Sequence, residues 1–165
     1  RPGGFEDHWI CEYWDGQQQR WVGVDPQIDT LQKELFKLNF NPLDLPDGQF
    51  ICGARAWQLC RQGQEEPGKF GIFQFNGMGF IRGNLIRDLA ALNKMELLPV
   101  DFWGLMQRPD KPIPESDAAM LDGVARLITA EDPKLYEVYR WDEFRVPSRI
   151  YSFTPQGMVQ VEIPV

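Results

Sequence analysis

The pattern of apolar and polar residues predicts a β-hairpin at each end of the chain. Near the start, "HWICEYW" and "QRWVGVD" are rich in aromatic and β-branched residues and flank the turn-forming stretch "DGQQ". At the other end, "SRIYSFTPQGMVQVEIPV" alternates between apolar and polar positions on both sides of "PQG". Two alternating segments joined by a short polar turn are typical of antiparallel strand pairs.

Between the hairpins, apolar residues recur at helical spacing, which predicts helices. In "DTLQKELFKLNF" the stripe is Leu31, Leu35 and Leu38, with Asp29 or Thr30 as N-cap. The other predicted helices are "FICGARAWQLCRQG", "NLIRDLAALNKMELL" capped by Asn84, "PIPESDAAMLDGVARLIT" and a short "DPKLYEVYRW". The glycines of "GMGFIRG" are interpreted as turn residues.

These elements predict the α+β class, with helices between two antiparallel hairpins. The chain is interpreted as a single domain or a fragment of one. The predicted parts are a hairpin at 1–29, a helical region at 30–147 and a closing hairpin at 148–165. The chain opens on "RPGGFED", close to a strand, and we therefore expect it to be the C-terminal part of a longer protein.

Composition narrows the classes of function. The net charge of −7 argues against a nucleic acid or an anionic membrane as the main partner. No apolar run approaches the roughly 18 residues that a membrane span needs. The three cysteines, Cys11, Cys52 and Cys60, are an odd number without paired zinc-site spacing, so we expect a reducing, cytoplasmic setting with no metal and no cofactor.

His8 is the only histidine in the chain, and it opens the first predicted strand, "HWICEYW". If Asp15 to Gln18 form the loop, the hairpin register places His8 opposite Asp25 and Ile10 opposite Gly23. Opposed residues have Cβ atoms roughly 5 Å apart, within reach of an imidazole–carboxylate hydrogen bond. Asp25 would then hold the ring in one tautomer and stabilise its protonated form, as in a catalytic triad. Gly23 would leave an open patch beside His8.

Strand alternation assigns the remaining hairpin residues to faces. Cys11 lies three positions from His8, so it points to the opposite face and is excluded as the nucleophile for that histidine. This opposite face also carries Trp9, Val22 and Val24, and it is predicted to face the core. Glu12 shares the face of His8, but four residues along a strand is roughly 13 Å, too far for a shared metal ion.

The other two cysteines are predicted to lie inside a helix and to be structural. Cys60 lies near the C-terminal end of that helix, where the helix dipole raises the pKa of a thiol. Neither is therefore expected to act as a nucleophile. The aromatic residues of the first hairpin are expected to be core and hairpin-stabilising side chains rather than a ligand platform.

The segment "DHWICEYW…QRWVGVDPQID" resembles the histidine and aspartate segments of the transglutaminase-like superfamily, which has a papain-like Cys-His-Asp triad. That family shows H-x-W-x-E followed by W-V-x-V-D-P, and this chain departs from it at Ile10. The whole chain, with "AWQLCRQG" and "FIRGNLIRDLAALNKMELLP", resembles a bacterial branch without a defined substrate. The matching positions are His8, Glu12, Trp21, Val22, Gly23, Val24, Asp25 and Pro26.

The resemblance implies a transglutaminase-like, cysteine-proteinase-like core that is present here only in part. It implies that His8 and Asp25 are two triad members in thiol-dependent amide hydrolysis or acyl transfer on an amide or peptide substrate. The family's nucleophilic cysteine precedes the histidine, so we expect an upstream segment to supply it. A homodimer or that N-terminal segment is expected to cover the exposed sheet. The alternative is an inactive binding or structural domain that retains the fold.

Overall fold

The structure is a computed structural model that describes residues 4–95, 97–106, 111–131 and 134–163. It divides the chain into two compact units. We call Asp7–Ile51 the hairpin unit, and we call Arg1–Glu6 together with Cys52–Val165 the helical unit.

The described residues form short strands and helices in an α+β arrangement, as the sequence predicted. The strands are β1 Phe5–Glu6, β2 Cys11–Asp15, β3 Arg20–Val24, β4 Phe70–Ile72, β5 Phe75–Asn76, β6 Asp101–Phe102, β7 Arg149–Thr154 and β8 Gly157–Glu162. The helices are α1 Thr30–Leu35, α2 Gly53–Arg61, α3 Met78–Leu92, α4 Glu115–Thr129 and α5 Leu135–Val138. Short 3-10 turns lie at Pro67–Lys69 and Gly104–Met106.

The strands form three small sheets. β2 and β3 pair antiparallel as the predicted first hairpin, and β7 and β8 pair antiparallel as the predicted closing hairpin. β6 pairs antiparallel with β7, so β7 is the central strand of its sheet. In the third sheet β1 pairs parallel with β4, which pairs antiparallel with β5. The sequence did not predict β1, because a strand of two residues has no alternation to detect.

Helix α1 begins where the sequence predicted and ends earlier. The Asp29 side chain accepts a hydrogen bond from the backbone N–H of Gln32, and the Gln32 side chain accepts one from the backbone N–H of Asp29, which forms a capping box. The helix ends at Leu35, and Lys37 has a left-handed backbone with φ of 54°. Leu31 and Leu35 are exposed, so the predicted apolar stripe does not form a core contact.

The core of the helical unit lies where α2, α3 and α4 pack against one another. Trp57 of α2 is buried, as are Leu85 and Leu89 of α3 and Leu121 and Val124 of α4. Their burial is the main favourable contribution to folding, at roughly 1.5–3 kcal/mol for each large side chain. Trp103 and Phe144 are also buried, and the Trp103 indole N–H donates to the Phe144 carbonyl oxygen at 3.2 Å.

Helix α3 begins six residues before the predicted N-cap Asn84 and ends at Leu92. Gly77, with φ of 91°, is the N-cap, and Gly83 is a buried residue inside the helix. The interpretation of "GMGFIRG" as turn glycines is therefore wrong for most of the stretch. A glycine in a helix costs about 1 kcal/mol relative to alanine, and burial of residues such as Ile81 and Leu85 outweighs this cost.

A hydrogen-bond network joins α2 to α4. Asp122 Oδ1 accepts from the Trp57 indole N–H at 2.7 Å and from Arg61 Nε at 3.1 Å, and Asp122 Oδ2 accepts from Arg61 Nη2 at 3.0 Å. Burial raises the pKa of Asp122, but the hydrogen bonds from Arg61 and then Trp57 outweigh burial and hold this pKa below its ordinary value. The hydrogen bonds from Arg61 to Asp122, and then those to Glu115, raise the pKa of Arg61.

Each helix within the described residues is too short or too polar to cross a membrane.

Substitution of Gly53 by alanine should destabilise the contact between α2 and α3. A Cβ atom at Gly53 would lie 2.6 Å from the backbone nitrogen of Leu85, and backbone cannot move aside as a flexible side chain can. We expect Gly53→Ala to lower the free energy of unfolding by about 1–3 kcal/mol in chemical denaturation. Gly68→Ala is the control, because a Cβ there meets no atom within 4 Å. Equal changes for the two variants would contradict this packing.

Asp122→Asn should destabilise the protein at neutral pH by about 1–3 kcal/mol, because the buried Trp57 N–H and the Arg61 guanidinium lose a charged acceptor. The folded-state pKa of Asp122 is depressed, so its stabilising contribution is present above the unfolded-state pKa. That contribution is lost as the pH falls below about 4 and through the folded-state pKa. Thermal unfolding from pH 3 to pH 7 should therefore show wild type and variant converging in acid. A difference that does not depend on pH would refute this role.

Candidate functional site

The observed register of the first hairpin differs from the predicted one by two residues. Asp15 pairs with Arg20, Trp14 with Trp21, and Glu12 with Gly23. The predicted pairing of Trp14 with Gln19 and of Ile10 with Gly23 is therefore wrong. A shift by two positions keeps every side chain on its predicted face, because strand side chains alternate with a period of two.

The turn explains the shift. Asp15 belongs to β2 rather than to the loop, and its Oδ1 accepts hydrogen bonds from the backbone N–H groups of Gln17 at 2.8 Å and Gln18 at 3.1 Å. These two bonds lower the pKa of Asp15. Gln19 closes the loop in the left-handed region with φ of 53°. The loop is therefore Gly16 to Gln19, one residue later than assumed.

His8 and Asp25 are in direct contact within the hairpin unit despite the shifted register. His8 Nε2 lies 2.6 Å from Asp25 Oδ2, although neither residue belongs to a strand. An ionised carboxylate only accepts hydrogen bonds, so Nε2 carries the proton and donates it. The other ring nitrogen, Nδ1, is therefore the one available to accept a proton from another group. The His8 side chain is 36% exposed and that of Asp25 is 4% exposed.

Both oxygens of the Asp25 carboxylate are engaged. Oδ1 accepts from the backbone N–H of Gln27 at 3.0 Å, while Oδ2 accepts from His8. Pro26, between these residues, has no N–H and ends the strand. A carboxylate held at both oxygens keeps one orientation, so it fixes the position of the imidazole that it contacts.

The segment from Pro42 to Leu45 covers the outer edge of β3. The backbone N–H of Asp25 donates to the Pro42 carbonyl oxygen at 2.8 Å, and the backbone N–H of Leu45 donates to the Gly23 carbonyl oxygen at 2.9 Å. Arg20 Nη2 contacts both carboxylate oxygens of Asp44, at 2.8 and 2.9 Å. The sequence does not predict that this segment pairs with β3, because its only local signal is the turn-forming content of "NPLDLPDG".

The open patch predicted at Gly23 is absent. A Cβ atom at Gly23 would lie 3.6 Å from the side chains of Leu45 and Ile10, which is ordinary van der Waals contact. The face at Gly23 is therefore lined by two apolar side chains, and in the observed register Gly23 lies opposite Glu12 rather than beside His8.

The aromatic side chains of the hairpin are more exposed than predicted. Tyr13, Trp14 and Trp21 are each 50% exposed, and Trp9 is 41% exposed. On the face predicted to be core, Val22 is buried, whereas Trp9 and Cys11 are exposed. Trp14 and Trp21 contact each other edge to face, with ring centroids 5.8 Å apart. They are a cross-strand pair on the surface rather than a core cluster.

Within the hairpin unit, no cysteine is positioned to act as the nucleophile for His8. Cys11 is exposed at the start of β2, and by alternation it belongs to the face opposite Glu12. Cys60 lies in the last turn of α2, and burial, followed by the nearby charge of Glu65, raises the pKa of its thiol. Cys52 is the N-cap residue of α2, one position before the helix in which it was predicted.

Among the described residues, no group of three or more His, Cys, Asp and Glu side chains is arranged to hold a metal ion. Comparison of the sequence with models of protein families, with curated proteins and with solved structures gives no match. The geometry of the hairpin unit is therefore the basis for a functional assignment.

The hydrogen bond between His8 and Asp25 predicts a specific tautomer. His8 is the only histidine, so ¹⁵N NMR of the imidazole gives a single set of ring signals. In the neutral imidazole, we expect Nε2 to carry the proton and Nδ1 to carry none. In Asp25→Asn the tautomer preference should weaken, whereas Asp47→Asn, in an exposed turn, should leave it unchanged. A proton on Nδ1 in the wild type would contradict the geometry.

Proposed function

We propose that the protein is transglutaminase-like and performs thiol-dependent amide hydrolysis or acyl transfer, with His8 and Asp25 as two members of a Cys-His-Asp triad. The observation that carries this proposal is the 2.6 Å hydrogen bond between the only histidine and a buried aspartate. In a catalytic triad, a buried carboxylate orients the imidazole that transfers the proton and stabilises its protonated form, and this pair has that arrangement.

The proposed chemistry follows from the two ring nitrogens of His8. Nε2 is committed to Asp25, so Nδ1 accepts the proton of the attacking thiol. The thiolate sulfur forms a bond to the amide carbonyl carbon, and the protonated imidazole gives its proton to the leaving amine as the C–N bond breaks. Water or a second amine then attacks the thioester carbonyl carbon, and Nδ1 again accepts the proton of the attacking group. The C–S bond breaks, the cysteine leaves as thiolate, and the imidazole returns its proton to that sulfur. Hydrolysis and transfer differ only in this last nucleophile.

The nucleophile is proposed to come from a segment N-terminal to Arg1 in the full gene product. Cys11 is on the wrong face of the hairpin, and the raised pKa of Cys60 disfavours its thiolate. An incoming cysteine would have to approach Nδ1 of His8, whose side chain is 36% exposed.

The second candidate is a binding domain without catalysis. The half-exposed Trp14 and Trp21 favour it, because large apolar side chains on a surface are characteristic of contact sites. This candidate requires neither a nucleophile nor proton transfer at His8. Only the catalytic candidate predicts a covalent acyl-enzyme, so formation of that intermediate distinguishes the two.

The test is acylation of the full-length gene product by an activated aryl ester, followed by denatured intact mass. We expect the mass of one acyl group to be added to wild type. In His8→Ala the acylation rate should fall about 100-fold or more, because proton transfer is lost. Asp25→Asn should also slow acylation, and Glu34→Gln, which changes an exposed carboxylate on α1, is the matched control. Acylation of His8→Ala at the wild-type rate would refute the triad, and wild type that is not acylated would favour the binding domain.

A further inference from the structure

On the face of the β2–β3 hairpin that carries Trp14 and Trp21, the exposed carboxylate of Glu12 lies beside an aromatic corner. Glu12 pairs with Gly23 and Trp14 pairs with Trp21, so these are adjacent cross-strand pairs on one face. The two pairs are roughly 7 Å apart along the strand. The backbone C=O of Gly23 points away from β2, towards Leu45, so Glu12 and Gly23 form a non-hydrogen-bonded pair. Pair types alternate along the strands, so Trp14 and Trp21, two positions further on, also form a non-hydrogen-bonded pair. In both pairs the Cα atoms are about 4.5 Å apart.

Glu12 differs from the other acidic residues of the hairpin. The Asp15 carboxylate is engaged by the turn, and the Asp25 carboxylate is engaged by His8 and Gln27. Glu12 is exposed and has no hydrogen bond or ion pair within the part of the chain that the structure describes. The residue opposite Glu12 is Gly23, which has no side chain, and the side chains over Gly23 are those of Ile10 and Leu45, which carry no charge.

The two tryptophans form a corner with two aromatic faces. Their rings are inclined by 70°, and each side chain is 50% exposed. The face of an indole ring carries partial negative charge and attracts cations within about 6 Å of its centroid, and aromatic corners of this kind bind alkylammonium groups. The hairpin unit adds a favourable long-range field, because it has eight acidic and three basic side chains and a net charge of −5 with His8 neutral.

We propose that Glu12, Trp14 and Trp21 form a binding site for an alkylammonium group, such as the side chain of a lysine in a peptide. The carboxylate supplies the opposite charge, and the two ring faces contact the charged end and the methylene groups beside it. A compact ammonium fits a corner between two inclined rings, whereas a planar guanidinium stacks flat on a single ring.

The position of this site also indicates a substrate class, and that step rests on the proposed function. Glu12 and His8 are four residues apart, which is roughly 13 Å of extended chain. A peptide lying along this face would place its lysine about four residues from the amide on which His8 acts. The side chains of Ile10 and Leu45, which flank Gly23, lie between the two ends and offer an apolar surface for the intervening residues.

The test uses the indole N–H signals of the full-length protein in ¹H–¹⁵N NMR, with Nα-acetyl-lysine methylamide as the probe. The Trp14 and Trp21 signals are assigned with Trp14→Phe and Trp21→Phe. We expect these two signals to shift on titration and to shift less at high salt, because the interaction is between exposed charges. The neutral analogue Nα-acetyl-norleucine methylamide should not shift them. Absence of a shift with the lysine probe, or equal shifts with both probes, would overturn the site.

Glu12→Gln should raise the dissociation constant of the lysine probe about tenfold, as expected for loss of about 1.4 kcal/mol. Glu34→Gln, an exposed carboxylate of the same unit, should leave this constant unchanged. The imidazole signals of His8 report whether the hairpin of Glu12→Gln is intact. Unchanged affinity in Glu12→Gln would refute the role of Glu12. Binding does not depend on acylation, so the site should persist in His8→Ala and is tested separately from the proposed catalysis.

Discussion

Two backbone hydrogen bonds attach the Pro42–Leu45 segment to the outer edge of β3, next to the candidate catalytic pair His8 and Asp25. The N–H of Asp25 and the C=O of Gly23 point away from β2, and the Pro42–Leu45 segment supplies partners for both. Edge strands otherwise expose such groups to water, and a carboxylate beside an open edge would be solvated. With the edge covered and Gln27 bound to Oδ1, Asp25 is buried and holds His8 in one orientation.

The pairing of His8 with Asp25 depends on the face of each residue more than on strict register. The hairpin is shifted by two residues from the predicted pairing, and the contact forms all the same. A shift by one would have placed the two side chains on opposite faces, whereas a shift by two retains the face and leaves the imidazole to span the remaining offset. The same alternation leaves Glu12, Trp14 and Trp21 together, so one surface of a small hairpin carries both candidate activities.

The helical unit follows a different principle, which is close packing of helix backbones. Gly53 lies against the backbone at Asn84 and Leu85, and a side chain there has no room. The contact allows the indole of Trp57 to be buried with its N–H bound to Asp122 of α4. A buried polar group needs such a partner, because an unsatisfied one costs about 1–3 kcal/mol. The hydrogen-bond network of Asp122 and the close contact at Gly53 therefore both stabilise the packing of α2 against α3 and α4.

The sequence by itself determined the class of fold, the two hairpins, the start of α1 to within Asp29 or Thr30, and the faces on which His8 and Asp25 lie. These properties follow from alternation, helical spacing and local hydrogen bonds, which are set by neighbouring residues. It did not determine the hairpin register, because Asp15 caps the turn from within the strand, nor the start of α3, because tertiary burial outweighs the helix penalty of its glycines. The burial of Asp25 under the Pro42–Leu45 segment was decided by tertiary structure alone, since it depends on hydrogen bonds between residues about 20 positions apart in sequence that no local pattern encodes.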